Sequence, residues 1–393
     1  MSSPAPSPIV ARAALQLRDG GAATVNELAT TLGLSRTSVE NAVGALGDAE
    51  LIIEAPAANG RGAGRPARRY AFDAEVGAVV GGDIGAASIR VAIADLGGRV
   101  VAQQTFPGVS DERDGASKLA AVIADVRTAL DDAGFPVSRV RAIGVALPGI
   151  VDDAGRVTAS VVIPDWSGID IGSHIRQAFG CPVAVDNGVR LAAVAEHHLG
   201  VAQLVDDVLY LSVGNRIAAG LILGGSPRRG IHNAAGDIGR LAFRGLNTET
   251  GQITWRAADT AAEVFELARA GDVAATAEID AFVTELAHGI ATLVLTVDPA
   301  MIVIGGGLSA AHGQLLDPLR ERLQRNIGLP FQVPIAEARL GAEAAAHGAL
   351  VHAFRRHSTA VYGIEGLPVP SVTPLSHDGS ADAADPMILE ERL

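Results

Sequence analysis

The sequence predicts an α/β protein in two unequal parts: a small helical module with a β-hairpin, then a larger body of two similar α/β halves. Three observations carry this. Hydrophobic residues make up 48% of the 393 residues but aromatics only 4%, so the core is aliphatic, built mostly of Ala, Val, Leu and Ile. The pattern changes near residue 76, from short helical stretches to apolar strands broken by glycine. A strand–turn–strand pattern then occurs twice, at 78–101 and at 207–230, with Gly214 lying 129 residues after Gly85.

The first 75 residues read in order as follows. Residues 9–19 carry apolar positions at helical spacing and stop at Gly20-Gly21. A second helix fits 24–32, with Thr24 as N-cap and Glu27 completing a capping box. Gly33 follows where a helix end favours positive φ. Ser35 caps a third helix with Val39, Val43 and Leu46 on one face, and the small Ala29 lets the third helix cross the second closely. Residues 51–53 and 70–72 read as two strands around the polar, glycine-rich tip APAANGRGAGRPARR. This is the order of a winged helix-turn-helix.

Net charge is −13, which taken whole disfavours a nucleic-acid partner. The distribution says otherwise. Residues 1–75 balance at −1 and the remainder at −12, while 55–72 hold four arginines and no acid. Screening beyond about 10 Å leaves such a local stripe effective. The third helix therefore offers Arg36, Thr37, Ser38 and Asn41 to base edges of double-stranded DNA. The wing offers Arg61 and Arg65 to the minor groove, and Arg68 and Arg69 to phosphate.

In the body, each glycine-turned hairpin opens one half, with lobes at 76–200 and 201–357. A helix is expected at 277–297, followed by a buried strand ending in Gly305–Gly307. The acidic, proline-containing stretch 358–393 reads as a disordered tail. His197-His198 reads as an exposed helix end. The single cysteine, Cys181, excludes a disulfide framework. Residues 289–308, the most apolar stretch, are broken by Asp298, Pro299 and glycines, so no membrane span is expected. The start lacks the order of a signal peptide, so the expected location is cytoplasmic, on the nucleoid when DNA is bound.

The duplicated body resembles the actin-like, ribonuclease-H-like sugar-kinase fold, whose ligands lie between two lobes. GVALPGIVDDAGRV (144–157), IPDWSGIDIG (163–172), NAAGDIG (233–239) and IVIGGGLS (302–309) resemble the ROK family of repressors, open reading frames and kinases. The winged module is similar to that of the family's xylose and N-acetylglucosamine repressors; free-standing kinases of the family lack it.

The resemblance also exposes departures. The first phosphate turn of family kinases resembles D-x-G-G-T-K; here Ala86 and Ala87 put methyl groups in Asp83-Ile84-Gly85-Ala86-Ala87-Ser88. The second resembles G-T-G-I-G-G-G; here it is Gly214-Asn215-Arg216-Ile217-Ala218-Ala219-Gly220. The catalytic E-N-D-A-N becomes Asp186-Asn187-Gly188-Val189-Arg190, with Gly188 in place of the general base. Losing such a base costs roughly 10²–10⁴-fold in rate. The family's zinc histidine is replaced by Arg240, and 241–260 hold no Cys or His, so no metal and no cofactor is expected. Asn187, Asp237 and Arg240 are the candidate ligand contacts, with Arg216 and Arg240 expected to pair with Asp186 and Asp237.

These features predict a DNA-binding regulator whose ROK domain is a non-catalytic sensor and dimeriser, a homodimer or dimer of dimers, with a sugar or anionic metabolite as effector. The alternatives are an active sugar kinase with an added DNA-binding module, and a ligand-independent regulator using the ROK domain as scaffold.

Overall fold

The computed structural model describes residues 8–56, 67–109, 114–243, 251–308 and 313–375. The N-terminal module runs α1 (Pro8–Gly20), β1 (Ala23–Thr24), α2 (Val25–Leu32), α3 (Arg36–Asp48), β2 (Ile52–Ala55) and β3 (Arg69–Phe72). Its sheet has the order β1–β3–β2, with Ile52 opposite Phe72 and Ala23 opposite Tyr70. Thr24 Oγ1 accepts from Glu27 N at 3.2 Å, and Glu27 Oε2 accepts from Thr24 N at 2.7 Å. The reciprocal cap satisfies two orphan helix donors and holds the Glu27 carboxyl below its usual range. Gly33 takes φ 65°, a left-handed conformation that turns the chain from α2 into α3. Ala14, Leu17, Leu28, Val39 and Leu46 close the space between the three helices.

The first lobe contains β4 (Ala78–Ile84), β5 (Ser88–Asp95), β6 (Val100–Pro107), α4 (Gly115–Asp132), β7 (Val140–Leu147), the small pair β8 (Ile150–Val151) and β9 (Val157–Ala159), α5 (Ile171–Phe179), β10 (Val183–Asn187) and α6 (Gly188–His198). The second contains β11 (Val208–Val213), β12 (Ile217–Leu223), β13 (Ser226–Pro227), α7 (Gly239–Ala242), α8 (Ala261–Arg269), α9 (Val273–Val297), β14 (Met301–Gly305), α10 (Gly313–Ile327), β15 (Ile335–Glu337), α11 (Ala344–Arg356) and α12 (Ser358–Tyr362).

The duplication read from the glycine spacing is real in the topology. The first sheet has the order β10–β7–β4–β5–β6 and the second β15–β14–β11–β12–β13. In each, the first three strands are antiparallel and the last two run parallel to the first. Gly85 and Gly214 start the equivalent hairpin turns. The expected helix at 277–297 is the C-terminal part of α9, which begins earlier because Asp272 accepts from Ala275 N at 2.8 Å. α9 is long and apolar enough to cross a membrane, yet half of its most apolar stretch is buried in the second lobe.

Two expectations change. The lobes do not divide cleanly at residue 200, because α6 packs on β11 and β12 of the second sheet, and α11 packs on β4 and β7 of the first. Glycine permits this exchange. A Cβ on Gly81 would strike Ala346 O, one on Gly144 would strike Ala349 O, and one on Gly348 would strike Leu191 O.

The second correction concerns the tail. Residues 358–375 are folded against the N-terminal module, and residues 376–393 lie outside the described ones. Val361, Tyr362, Ile364, Leu367 and Val372 are buried in one core with Leu17, Leu46 and Leu96. Tyr362 Oη donates to Leu96 O at 3.0 Å, and Arg18 Nη1 donates to Pro368 O at 2.8 Å. Thr373 exchanges backbone bonds of 2.9 Å with Gly98 O and Val100 N. Average composition over 358–393 hid this, because five of its six acids lie after residue 375, while 358–375 hold only Glu365 among their apolar residues. The tail also half-covers His198, whose Nε2 lies 3.4 Å from Pro370 O, so His197-His198 is not an exposed end.

Candidate functional site

Two polar regions stand out. One is the outer face of α3. Ser35 caps the helix by accepting from Ser38 N at 3.1 Å, which fixes where the first turn points. Val39, Val43 and Leu46 face inward, leaving Arg36, Thr37, Glu40, Asn41 and Gly44 exposed. Ser38 is half-buried and its Oγ lies 2.8 Å from Ser35 Oγ, so it serves the cap. Arg69 is also internally engaged, bonding Glu27 at 3.2 Å and Ala22 O, which ties β3 to α2. Arg68 is exposed, with Nε 3.8 Å from Glu54 Oε1. Arg61 and Arg65 lie outside the described residues.

The other region is the cleft between the lobes, where β10 runs into α6. Asn187 is the N-cap of α6: its Oδ1 accepts from Val189 N at 3.0 Å and Arg190 N at 3.2 Å, and its Nδ2 donates to Gly149 O at 2.9 Å. Gly188 follows, where a Cβ would make only ordinary contacts. A Cβ there would stand 3.7 Å from Leu147 O and 3.8 Å from Asp83 Oδ1. Asp83 thus faces the position where the resemblance implies a second carboxylate. Burial pushes its carboxyl up to about 6, with Glu343 adding to the rise and Arg90 opposing it. Arg90 lies between the two acids, 3.9 Å from Asp83 and 3.5 Å from Glu343.

The expected pairing of Asp186 with Arg216 or Arg240 is not what forms. Asp186, 2% exposed, pairs with Arg190 and with Arg229, whose Nε is 3.3 Å away. The helical i,i+4 relation puts Arg190 beside Asp186 without any long-range folding. Arg229 also bonds Asp153 at 2.6 Å and Val151 O at 3.0 Å, and Arg190 donates to Asn233 O at 3.0 Å. Charges of the first lobe thereby grip residues 229–235 of the second. That segment leads to Asp237 and Arg240, both exposed. Arg216 is half-buried on the β11–β12 turn, and Arg216 Nη1 and Arg240 Cβ each lie 3.6 Å from where a Gly251 Cβ would stand. Sequence reasoning missed Arg229; the Arg228-Arg229 pair between Pro227 and Gly230 was the available signal.

Two lobes of matching topology, with glycine hairpin turns and an Asp–Asn–Gly junction at the cleft, define a protein of the sugar-kinase-like α/β class. The chain belongs to the ROK family, which it matches over residues 79–253 and 240–355. It is 27% identical over 301 residues to a glucokinase of Halalkalibacterium halodurans, covering 66% of this chain and 89% of that one. It is 23% identical over 330 residues to the xylose repressor of Bacillus subtilis, covering 77% and 82%. Among solved structures, the ROK hexokinase of Thermus thermophilus matches with a TM-score of 0.59 and 29% identity over 71% of this chain and 99% of that one. A ROK family transcriptional regulator, a homolog of the E. coli Mlc protein, matches in fold with a TM-score of 0.67 and 23% identity, over 90% and 96%.

Proposed function

We propose that this protein is a transcriptional regulator that reads double-stranded DNA through an N-terminal winged helix-turn-helix and uses its ROK body as a non-catalytic sensor. One observation carries the reading. Three helices and three strands between residues 8 and 72 precede the family match, which begins at residue 79, and the outer face of the third helix is polar and exposed. The xylose repressors and the regulator fold, which extend over more of this chain, support it.

In this reading Arg36, Thr37 and Asn41 meet base edges, and Arg68, with the wing arginines Arg61 and Arg65, meets the backbone and minor groove. The body forms a homodimer, or a dimer of dimers, so that two modules read two half-sites. The cleft takes a sugar or anionic metabolite near Asp237 and Arg240. Gly188, Ala86 and Ala87 support a site that holds a ligand without transferring phosphate, because a general base and two elements of the phosphate turn are replaced. The protein works in the cytoplasm, on the nucleoid when bound.

The test is selection of bound duplexes from a random-sequence pool by the purified protein, beside an ATP-consumption assay over a panel of hexoses. Enrichment of a paired half-site with no sugar-dependent ATP turnover is expected. Turnover above background without duplex enrichment would reverse the reading in favour of a kinase. At Gly188 a Cβ makes only ordinary contacts, but Gly188→Asp alone is expected to leave turnover at background, because Ala86, Ala87 and Arg216 remain.

A further inference from the structure

We propose that Glu40 is the positioning residue for Arg36, and that the pair, steadied by Asn26, sets the sequence preference of α3 at one guanine. This rests on the DNA-reading function above.

Arg36 opens α3, and its guanidinium is held at two points. Nε donates to Glu40 Oε1 at 2.8 Å, one turn along the same face. Nη1 donates to Asn26 Oδ1 at 3.4 Å, on α2. These two bonds leave the Nη2 protons and the second Nη1 proton free at the far end of the fork. That end is the part of arginine that guanine O6 and N7 accept together in the major groove. A long side chain free to rotate would lose rotamer entropy on reaching that geometry; one already braced on both edges loses less.

Stability does not account for Glu40. The side chains of Arg36 and Glu40 are 67% and 47% exposed, where an i,i+4 pair contributes little to folding. In a nucleic-acid interface, an exposed carboxylate also opposes binding, because it repels phosphate. A negative charge on the face that meets DNA weakens attraction to every sequence. It is useful there only if it improves discrimination between sequences.

The two roles predict opposite signs, which makes the experiment decisive. The probes are the duplex recovered from the random pool, its single-base-pair variants, and a scrambled duplex, each titrated across a salt series. Glu40→Ala is expected to bind the scrambled duplex more tightly than the native protein. It is also expected to lose about tenfold in discrimination at one base pair, the same one at which Arg36→Ala loses discrimination. Glu40→Gln, which keeps an acceptor for Arg36 Nε, restores part of that loss. In an Arg36→Ala background, Glu40→Ala adds no further loss at that position. Thermal unfolding of each variant checks that the module remains folded.

Unchanged base preference in Glu40→Ala overturns the proposal. So does a loss at a base pair different from the one Arg36 reads, since Glu40 would then contact a base itself. If the native protein selects no duplex at all, the regulator reading fails first and this inference with it.

Discussion

The outer face of α3 and the junction between β10 and α6 are both rich in polar side chains, but they are held in opposite ways. On α3, Thr37 and Asn41 stand exposed, and Arg36 is braced only by other surface groups. At the junction, Asp186 and Arg190 are each 2% exposed, and Asn187 commits its Oδ1 and one amide proton to the backbone. Polar residues that serve folding are buried and partnered, because an unpartnered buried charge is costly. Polar residues that meet another molecule are left accessible. By that measure the α3 face is accessible to another molecule, and the Asp186 network is committed to holding two lobes together.

The sharpest way to break this comparison is at Asp186. Asp186→Ala leaves the buried Arg190 without its carboxylate, while Arg229 keeps Asp153. A loss of about 3–5 kcal/mol is expected in denaturant unfolding. A loss below about 1 kcal/mol, the range of an exposed pair, would place Asp186 with the surface charges instead.

Changes on α3 should do the reverse. Asn41→Ala and Arg36→Ala are expected to weaken binding to the selected duplex by about 1–3 kcal/mol each. Their unfolding curves should stay within about 0.5 kcal/mol of the native protein. A variant that lost stability and DNA binding together would show that the face is structural.

Asp83 sharpens the comparison within the cleft, since it is a largely buried acid whose counter-ion Arg90, 3.9 Å away, is shared with Glu343. Its carboxyl is raised to about 6 in the folded state from an ordinary 3.8. The folded protein therefore binds the proton more tightly than the unfolded chain. The favourable contribution is fully present below the ordinary value and is lost as pH rises through about 6. Relative to Asp83→Asn, the native protein is expected to gain about 1 kcal/mol of stability from pH 7 to pH 5. Parallel pH–stability curves for the two proteins would show that Asp83 is solvated in the cleft.

The smallest expected effect is at Gly44. It lies on the exposed face of α3 in mid-helix, and a Cβ there would meet nothing within 4 Å. Gly44→Ala should stabilise the protein by about 0.5–1 kcal/mol. If the helix approaches DNA closely at that point, the same substitution weakens binding to the selected duplex. Unchanged binding would confine the contact to the first turns of α3.

Features that depend on neighbours along the chain were legible in the residues alone. Thr24 with Glu27, the left-handed Gly33 and the Ser35 cap act over at most a few residues, so their residue types suffice to mark the ends of α2 and α3. The glycine spacing revealed two similar halves because each hairpin turn is likewise a local event. The tertiary structure alone decided which distant groups meet. Asp186 was visible as an acid needing a cation, but nothing local distinguishes Arg229, 43 residues on, from Arg216 or Arg240. The crossing of α6 and α11 to the opposite sheets depends on bare glycine surfaces at Gly81, Gly144 and Gly348, which become complementary only when the lobes face each other. The fold of residues 358–375 was hidden for the same reason. Tyr362 and Leu367 gain by burial only once Leu17 and Leu96 are assembled beneath them, and a sequence shows an apolar residue without showing the surface it will cover.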